Sequence, residues 1–119
     1  MKEAVVAVIR KEGKVLAVSR KDNPEDFGLP GGKVDPGENR LVALSREVLE
    51  ETGLHITASV EVFVRFEENF KVTAYEVEVR DFNTETEEDG ILAWKTEEEL
   101  STQGSFCIYN SDLFNRTGS

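Results

Sequence analysis

Glu47, Glu50 and Glu51 stand at i, i+3 and i+4 in the stretch REVLEETGL. On an α-helix these positions are neighbours on one face. Like charges so placed oppose one another by roughly 0.2–0.5 kcal/mol per pair. A solvated acidic surface is one reading of the cluster; a bound cation that offsets the repulsion is the other. Carboxylates at this spacing offer the hard oxygen donors that Mg²⁺ prefers.

The elements that must position these groups are legible around them. The pattern predicts a helix from about Asn39 to Thr52, closed by Gly53 in the left-handed position after its last turn, with Leu54 making the accompanying apolar contact. Leu41, Leu44 and Val48 share its expected core stripe. Ala43 falls on the acidic face, where a small side chain leaves room for approach. The preceding segment KDNPEDFGLPGGKVDPGE (21–38) holds all three prolines of the chain and reads as a long shaped loop, neither helix nor strand.

Residues 4–10 and 14–20 are apolar, β-branched runs that predict a hairpin turning at Gly13. Alternation over 56–68 and 70–80 predicts an antiparallel pair. Residues 91–95 read as a short strand, TEEEL (96–100) as a helical turn capped by Thr96, and SDLFNR as a short helix capped by Ser111. With a helix crossing between strands, a single mixed α/β or α+β sandwich domain over 1–119 is expected.

Composition bounds the function. The chain has 119 residues and a formal charge of −10. That argues against a polymeric nucleic acid partner, which calls for a basic face; a small nucleotide remains compatible, because metal ions offset charge locally. One cysteine, Cys107, and one histidine, His55, allow neither a disulfide framework nor a Cys/His zinc site. Cys107 reads as a small buried apolar residue. No apolar run approaches a membrane span, no signal-peptide plan opens the chain, and a cytoplasmic protein is expected.

Read as one unit, GGKVDPGENRLVALSREVLEETGL (31–54) has Gly32, five residues, Glu38, seven residues, Arg46-Glu47-Val48, one residue, Glu50-Glu51, one residue, then Gly53-Leu54. This resembles the signature of the Nudix hydrolases at every specified position of residues 32–54, and MutT-like members above all. The resemblance implies a Nudix-like α-β-α sandwich with a mixed sheet and a Mg²⁺-dependent hydrolase, with Mn²⁺ as a possible substitute. It implies that Glu50 and Glu51 are the principal metal ligands, with Glu47 a ligand or general base. The Gly31 carbonyl would be a further ligand, and Glu38 and Arg46 an ion pair orienting loop and helix. A further acid is implied outside the motif, with Glu88 in TETEEDG the candidate and Glu87 its near alternative; Glu67 and Glu68 are weaker ones.

Substrate residues are less constrained. Lys33 either reaches a substrate phosphate or is simply solvated, and the same two readings apply to Arg20. Phe27 stands where Trp or Tyr is frequent before the glycine loop. Asn110 is a candidate base reader. The marks of NADH, coenzyme A and ADP-ribose subfamilies are missing; no proline, for example, follows Pro36. The expectation is therefore a nucleoside triphosphate cleaved to monophosphate and pyrophosphate, by a monomer or homodimer. An ADP-ribose or nucleoside-diphosphate-sugar hydrolase, and a non-catalytic nucleotide-binding module, are the alternatives.

Overall fold

The computed structural model describes residues 2–85 and 90–116. In chain order they form β1 (Lys2–Val8), β2 (Arg10–Lys11), β3 (Lys14–Arg20), β4 (Asn23–Gly28), β5 (Gly31–Lys33), α1 (Arg40–Thr52), β6 (Ile56–Glu67), β7 (Phe70–Val79), β8 (Leu92–Lys95), α2 (Glu97–Thr102) and α3 (Cys107–Phe114). One sheet has the order β5-β1-β7-β6, with β1 and β7 parallel and the other neighbours antiparallel. The second sheet has the order β2-β3-β4, and β8 pairs with β3.

The period-two alternation of β1 generates the layers. Val5, Ala7 and the following Ile9 pack with Ala43, Leu44 and Val48 of α1. Val8, with Ala74 of β7, packs instead with Leu100 of α2 and with Tyr109, Leu113 and Phe114 of α3. Helices thus cover both faces of a mixed sheet, which is the expected α-β-α sandwich.

Several local expectations are corrected. The two N-terminal runs do not form one long hairpin: the chain leaves the sheet pattern at Ile9, β1 pairs with β5 and β7, and only β2 turns back on β3. Glu12 and Gly13 both take positive φ in that turn. The segment 21–38 is not all loop, since it contains β4 and β5. Pro24 is accommodated in β4, whose pairing with β3 is broken by a register shift between Ser19 and Arg20.

Along α1 the core stripe is displaced. Leu41 is 48% exposed, whereas Ala43 is fully buried. The small residue lies under the helix, where it lets the backbone come down onto the sheet. The last helix starts at Cys107 rather than Ser111, so Ser111 lies within it. Cys107 is half-buried rather than fully enclosed. The β6–β7 pair, the short strand β8 and the Thr96 cap of α2 are where the sequence places them.

Candidate metal-dependent active site

Local chemistry sets the ends of α1. Asn39 caps it, its Oδ1 accepting the Leu41 N–H at 2.7 Å, an interaction worth about 0.5–2 kcal/mol. Gly53 closes it at φ 77° and donates its N–H to Leu49 O. A Cβ on Gly53 would fall 2.1 Å from the carbonyl oxygen of Glu85, whose own N–H bonds to Thr52 O at 2.8 Å. The chain after β7 is thereby seated on the C-terminal end of α1. On the far side of residues 86–89, Ile91 is anchored to Ser19 by two hydrogen bonds of 2.9 Å.

The edge strand β5 supplies the other wall. Ala7 N–H bonds to Pro30 O, and Val34 N–H to Glu3 O. Alternation along an antiparallel ladder then turns the main-chain groups of Gly31 and Lys33 away from β1. They meet α1 there: Gly31 N–H donates to Glu51 Oε1 at 2.7 Å, and Lys33 O accepts from Arg46 Nη2 at 3.3 Å. The Gly31 carbonyl lies on this same edge. The backbone requires glycine at Gly31, and the resting place of Glu47 requires it at Gly32. A Cβ on Gly31 would sit 2.0 Å from Val5 O, and one on Gly32 would sit 2.5 Å from the Glu47 carboxyl carbon.

Arg46 is the electrostatic hub. Its Nε and Nη2 bind Glu38 in a two-point pair at 2.8 and 2.9 Å. Its Nη1 reaches Glu47 Oε1 at 2.7 Å and Glu50 Oε1 at 3.4 Å. The guanidinium therefore offsets part of the carboxylate repulsion from within the helix. That was not readable from i, i+1 neighbours, which do not normally face each other. Hydrogen bonding from Arg46, with a second bond from Asp35 N–H, holds the Glu38 carboxyl down at about 2. The same contacts hold the Arg46 guanidinium firmly protonated.

The structure thus brings together Gly31, Glu38, Arg46, Glu47, Glu50 and Glu51. Other expected residues lie elsewhere. Arg20 pairs with Asp22 at the end of β3. Phe27 is packed beside the second core, with Lys95 Nζ 4.6 Å from its ring centroid. Lys33 turns its side chain toward Phe70. Asn110 is buried and donates from Nδ2 to Leu100 O, tying α3 to α2. Glu67 is ion-paired with Arg65 at the β6–β7 end. Glu88 and Glu87 lie outside the described residues.

Among the described residues no three acids, histidines or cysteines close into a ready-made metal cage. The cluster presents carboxylate oxygens braced by Arg46 and by the Gly31 N–H. That donor set fits Mg²⁺, which uses one or two carboxylates and completes its shell with water and phosphate oxygens.

A family model described as NUDIX domain matches residues 1–106. The chain is 49% identical over 53 residues to an ADP-ribose pyrophosphatase of Methanocaldococcus jannaschii, a match covering 43% of this chain and 31% of that protein. It is 42% identical over 60 residues to a CTP pyrophosphohydrolase of Escherichia coli, covering 48% of this chain and 44% of the relative. The match thus spans less than half the length of each of these two relatives. The structure of a NUDIX hydrolase from Nitrosomonas europaea superposes with a TM-score of 0.77 at 23% identity, over 95% of this chain and 87% of that one.

Proposed function

The chain belongs to the Nudix family, and from that membership we propose that it is a Mg²⁺-dependent hydrolase of a phosphoanhydride bond in a nucleoside triphosphate, releasing monophosphate and pyrophosphate. One observation carries the reading: loop and helix are locked together by Glu51 on Gly31 N–H and by Arg46 on Glu38, with Glu47 and Glu50 held on the same guanidinium.

In this reading residues 1–119 act as one hydrolase domain. Glu50, Glu51, Glu47 and the Gly31 carbonyl would hold the metal, which would supply positive charge to the phosphate oxygens. Gly31 N–H fixes Glu51 in orientation, so one of its oxygens is committed before substrate arrives. Glu47, over the bare Gly32, is the candidate to accept the proton of the attacking water. Glu38 stays ionised because Arg46 binds it, and the pair keeps β5 against α1. Arg46 also offsets part of the negative charge of Glu47 and Glu50. Preorganisation of this kind replaces reorganisation during reaction.

A second reading, an ADP-ribose hydrolase, is favoured by the similarity to the archaeal ADP-ribose pyrophosphatase. Incubation with Mg²⁺ and a panel of nucleoside triphosphates, ADP-ribose, nucleotide sugars and dinucleoside polyphosphates separates the two. Monophosphate plus pyrophosphate from a triphosphate supports the first reading. Cleavage confined to ADP-ribose or nucleotide sugars supports the second. Ligand binding without cleavage of anything makes the domain a nucleotide-binding module.

A further inference from the structure

The two edges of the β5-β1-β7-β6 sheet are built differently. At one end β5 is short, and α1 takes up its outward main-chain groups, Gly31 N–H through Glu51 and Lys33 O through Arg46. At the other end β6 runs for 12 residues, with β7 as its one neighbour. Among the described residues nothing bonds to its outer edge. A free edge presents a row of unpaired N–H and C=O groups, which proteins guard by short length, Pro, Lys or a covering element. β6 holds neither proline nor lysine. Three of its large apolar side chains are exposed, Val60 at 65%, Phe66 at 61% and Val64 at 37%. Its register against β7 shifts between Ile56 and Ala58, and again between Glu61 and Phe63, where Val62 has no partner.

The second shift gives the strand a symmetry. Pairing with β7 puts Ser59, Glu61, Val64 and Phe66 on the α1 side of the sheet, and Ala58, Val60, Phe63, Arg65 and Glu67 on the other. Val62 packs with Phe63 toward the second core. Outward from the point between Val62 and Phe63, the sides alternate in the same order in both directions. A regular strand can meet a copy of itself about any residue. Here the bulge leaves one centre at which all of 58–67 keeps like side on like side. Antiparallel pairing about that centre sets Val60 against the second copy's Arg65, Glu61 against its Val64, Ser59 against its Phe66 and Ala58 against its Glu67. No like charges meet. Each exposed apolar side chain meets a small residue or the aliphatic stem of a charged one. Arg65 is already steadied within its own chain by Glu67 and Asp112.

We propose that β6 is a homodimerisation strand, joining two copies antiparallel across a two-fold axis between Val62 and Phe63 to make one continuous sheet. Such an interface is closed on itself, so assembly stops at two chains. The edges left over are the two β5 strands, each already covered by its own α1. β5 carries the proposed metal site, so both sites lie at the outer ends of the joined sheet and stay open. The formal charge of −10 on each copy opposes approach, and association strengthens as salt screens it.

Light scattering and amide hydrogen exchange across a concentration series test this on the full chain. The expected result is a mass that rises from one chain to two, with protection of residues 58–67 rising in step. Val60→Lys and Val64→Lys then read the register. Both add the same charge at an exposed position, so general repulsion falls equally. Val60→Lys sets an ammonium against the second copy's Arg65 and should weaken the dimer about three- to tenfold, whereas Val64→Lys sets it against the second copy's Glu61 and should hold or strengthen it. Melting temperatures near the parent's show both variants folded; should either fail to fold, exchange in the parent decides. A single-chain mass at every concentration overturns the proposal. So does a dimer with no added protection in β6, or equal affinity in the two folded variants.

Discussion

A Cβ on Gly32 would lie 2.5 Å from the carboxyl carbon of Glu47, so the bare glycine is what lets that carboxylate rest against β5. The atom in the way is the far end of a flexible side chain, not backbone. Gly32→Ala is therefore expected to fold, with Glu47 pushed aside. A displacement of about 1 Å at a reacting group can cost on the order of 100-fold in rate. Thermal melting and steady-state kinetics together check this: the melting temperature changes little while kcat falls by at least about tenfold. A large loss of stability with activity retained per folded molecule would contradict it.

Gly53 makes a different demand. It has φ 77°, and its missing Cβ faces the backbone of Glu85, which cannot move without breaking the bond from Glu85 N–H to Thr52 O. Gly13 has φ 80° with open space around it. Placing alanine in the left-handed region costs roughly 1–2 kcal/mol. Gly13→Ala is expected to show about that loss, and Gly53→Ala clearly more, by chemical denaturation of both variants. Equal losses would mean that the Glu85 seat contributes nothing.

Arg46 is not replaceable by lysine. A lysine has one ammonium, and cannot at once bind Glu38 at two points, Glu47, and the Lys33 carbonyl. Losing a residue that orients ligands typically costs about 10–100-fold in activity or metal affinity. Arg46→Lys should remain folded by circular dichroism and show a loss of that size in kcat/KM, with a higher Mg²⁺ concentration needed for half-maximal activity. Activity within about twofold of the parent would remove Arg46 from its assigned role.

The ion pair also predicts an acid response. Glu38 is held at about 2, below its ordinary 4.5, by Arg46 and by Asp35 N–H. A depressed folded value means that the unfolded chain binds the proton first as pH falls. The contribution of Glu38 is therefore complete above about 4.5 and is lost as pH falls from there toward 2. Unfolding followed across that window should show a shallower dependence on pH in Glu38→Gln than in the parent. An identical slope would show that Glu38 has no such coupling.

Much of this arrangement was visible in the residues. Asn39 and Gly53 bound α1 because capping and left-handed closure are local chemistry. The acidic triplet was visible because its spacing is helical. Other features depend on tertiary contact. Helical period puts Leu41 on the core stripe and Ala43 on the acidic face, but a helix lowered onto a sheet buries its small residue and leaves the large one at the margin. Pro24, Pro30 and the glycines read as loop, although β4 tolerates its proline beside a register shift and β5 needs glycines so that α1 can approach. The first turn of α3 was hidden because Phe106 offers no side-chain cap. The spread of Arg46 over Glu38, Glu47 and Glu50 required the folded loop, and Lys33 turned toward Phe70 because strand alternation gives the face over α1 to Gly32.

The most direct test of the account is hydrolysis of a nucleoside triphosphate with Mg²⁺ by the parent and by Glu51→Gln. The substitution keeps one oxygen able to accept the Gly31 N–H while removing the charge and one carboxylate oxygen, so the fold should be preserved by melting temperature. The account predicts monophosphate and pyrophosphate from the parent and a fall of at least about 100-fold in kcat for the variant, a barrier increase of about 2.7 kcal/mol. A folded Glu51→Gln protein that turns over triphosphate at near-parental rate would contradict the assignment of Glu51 as a metal ligand, and with it the proposed site.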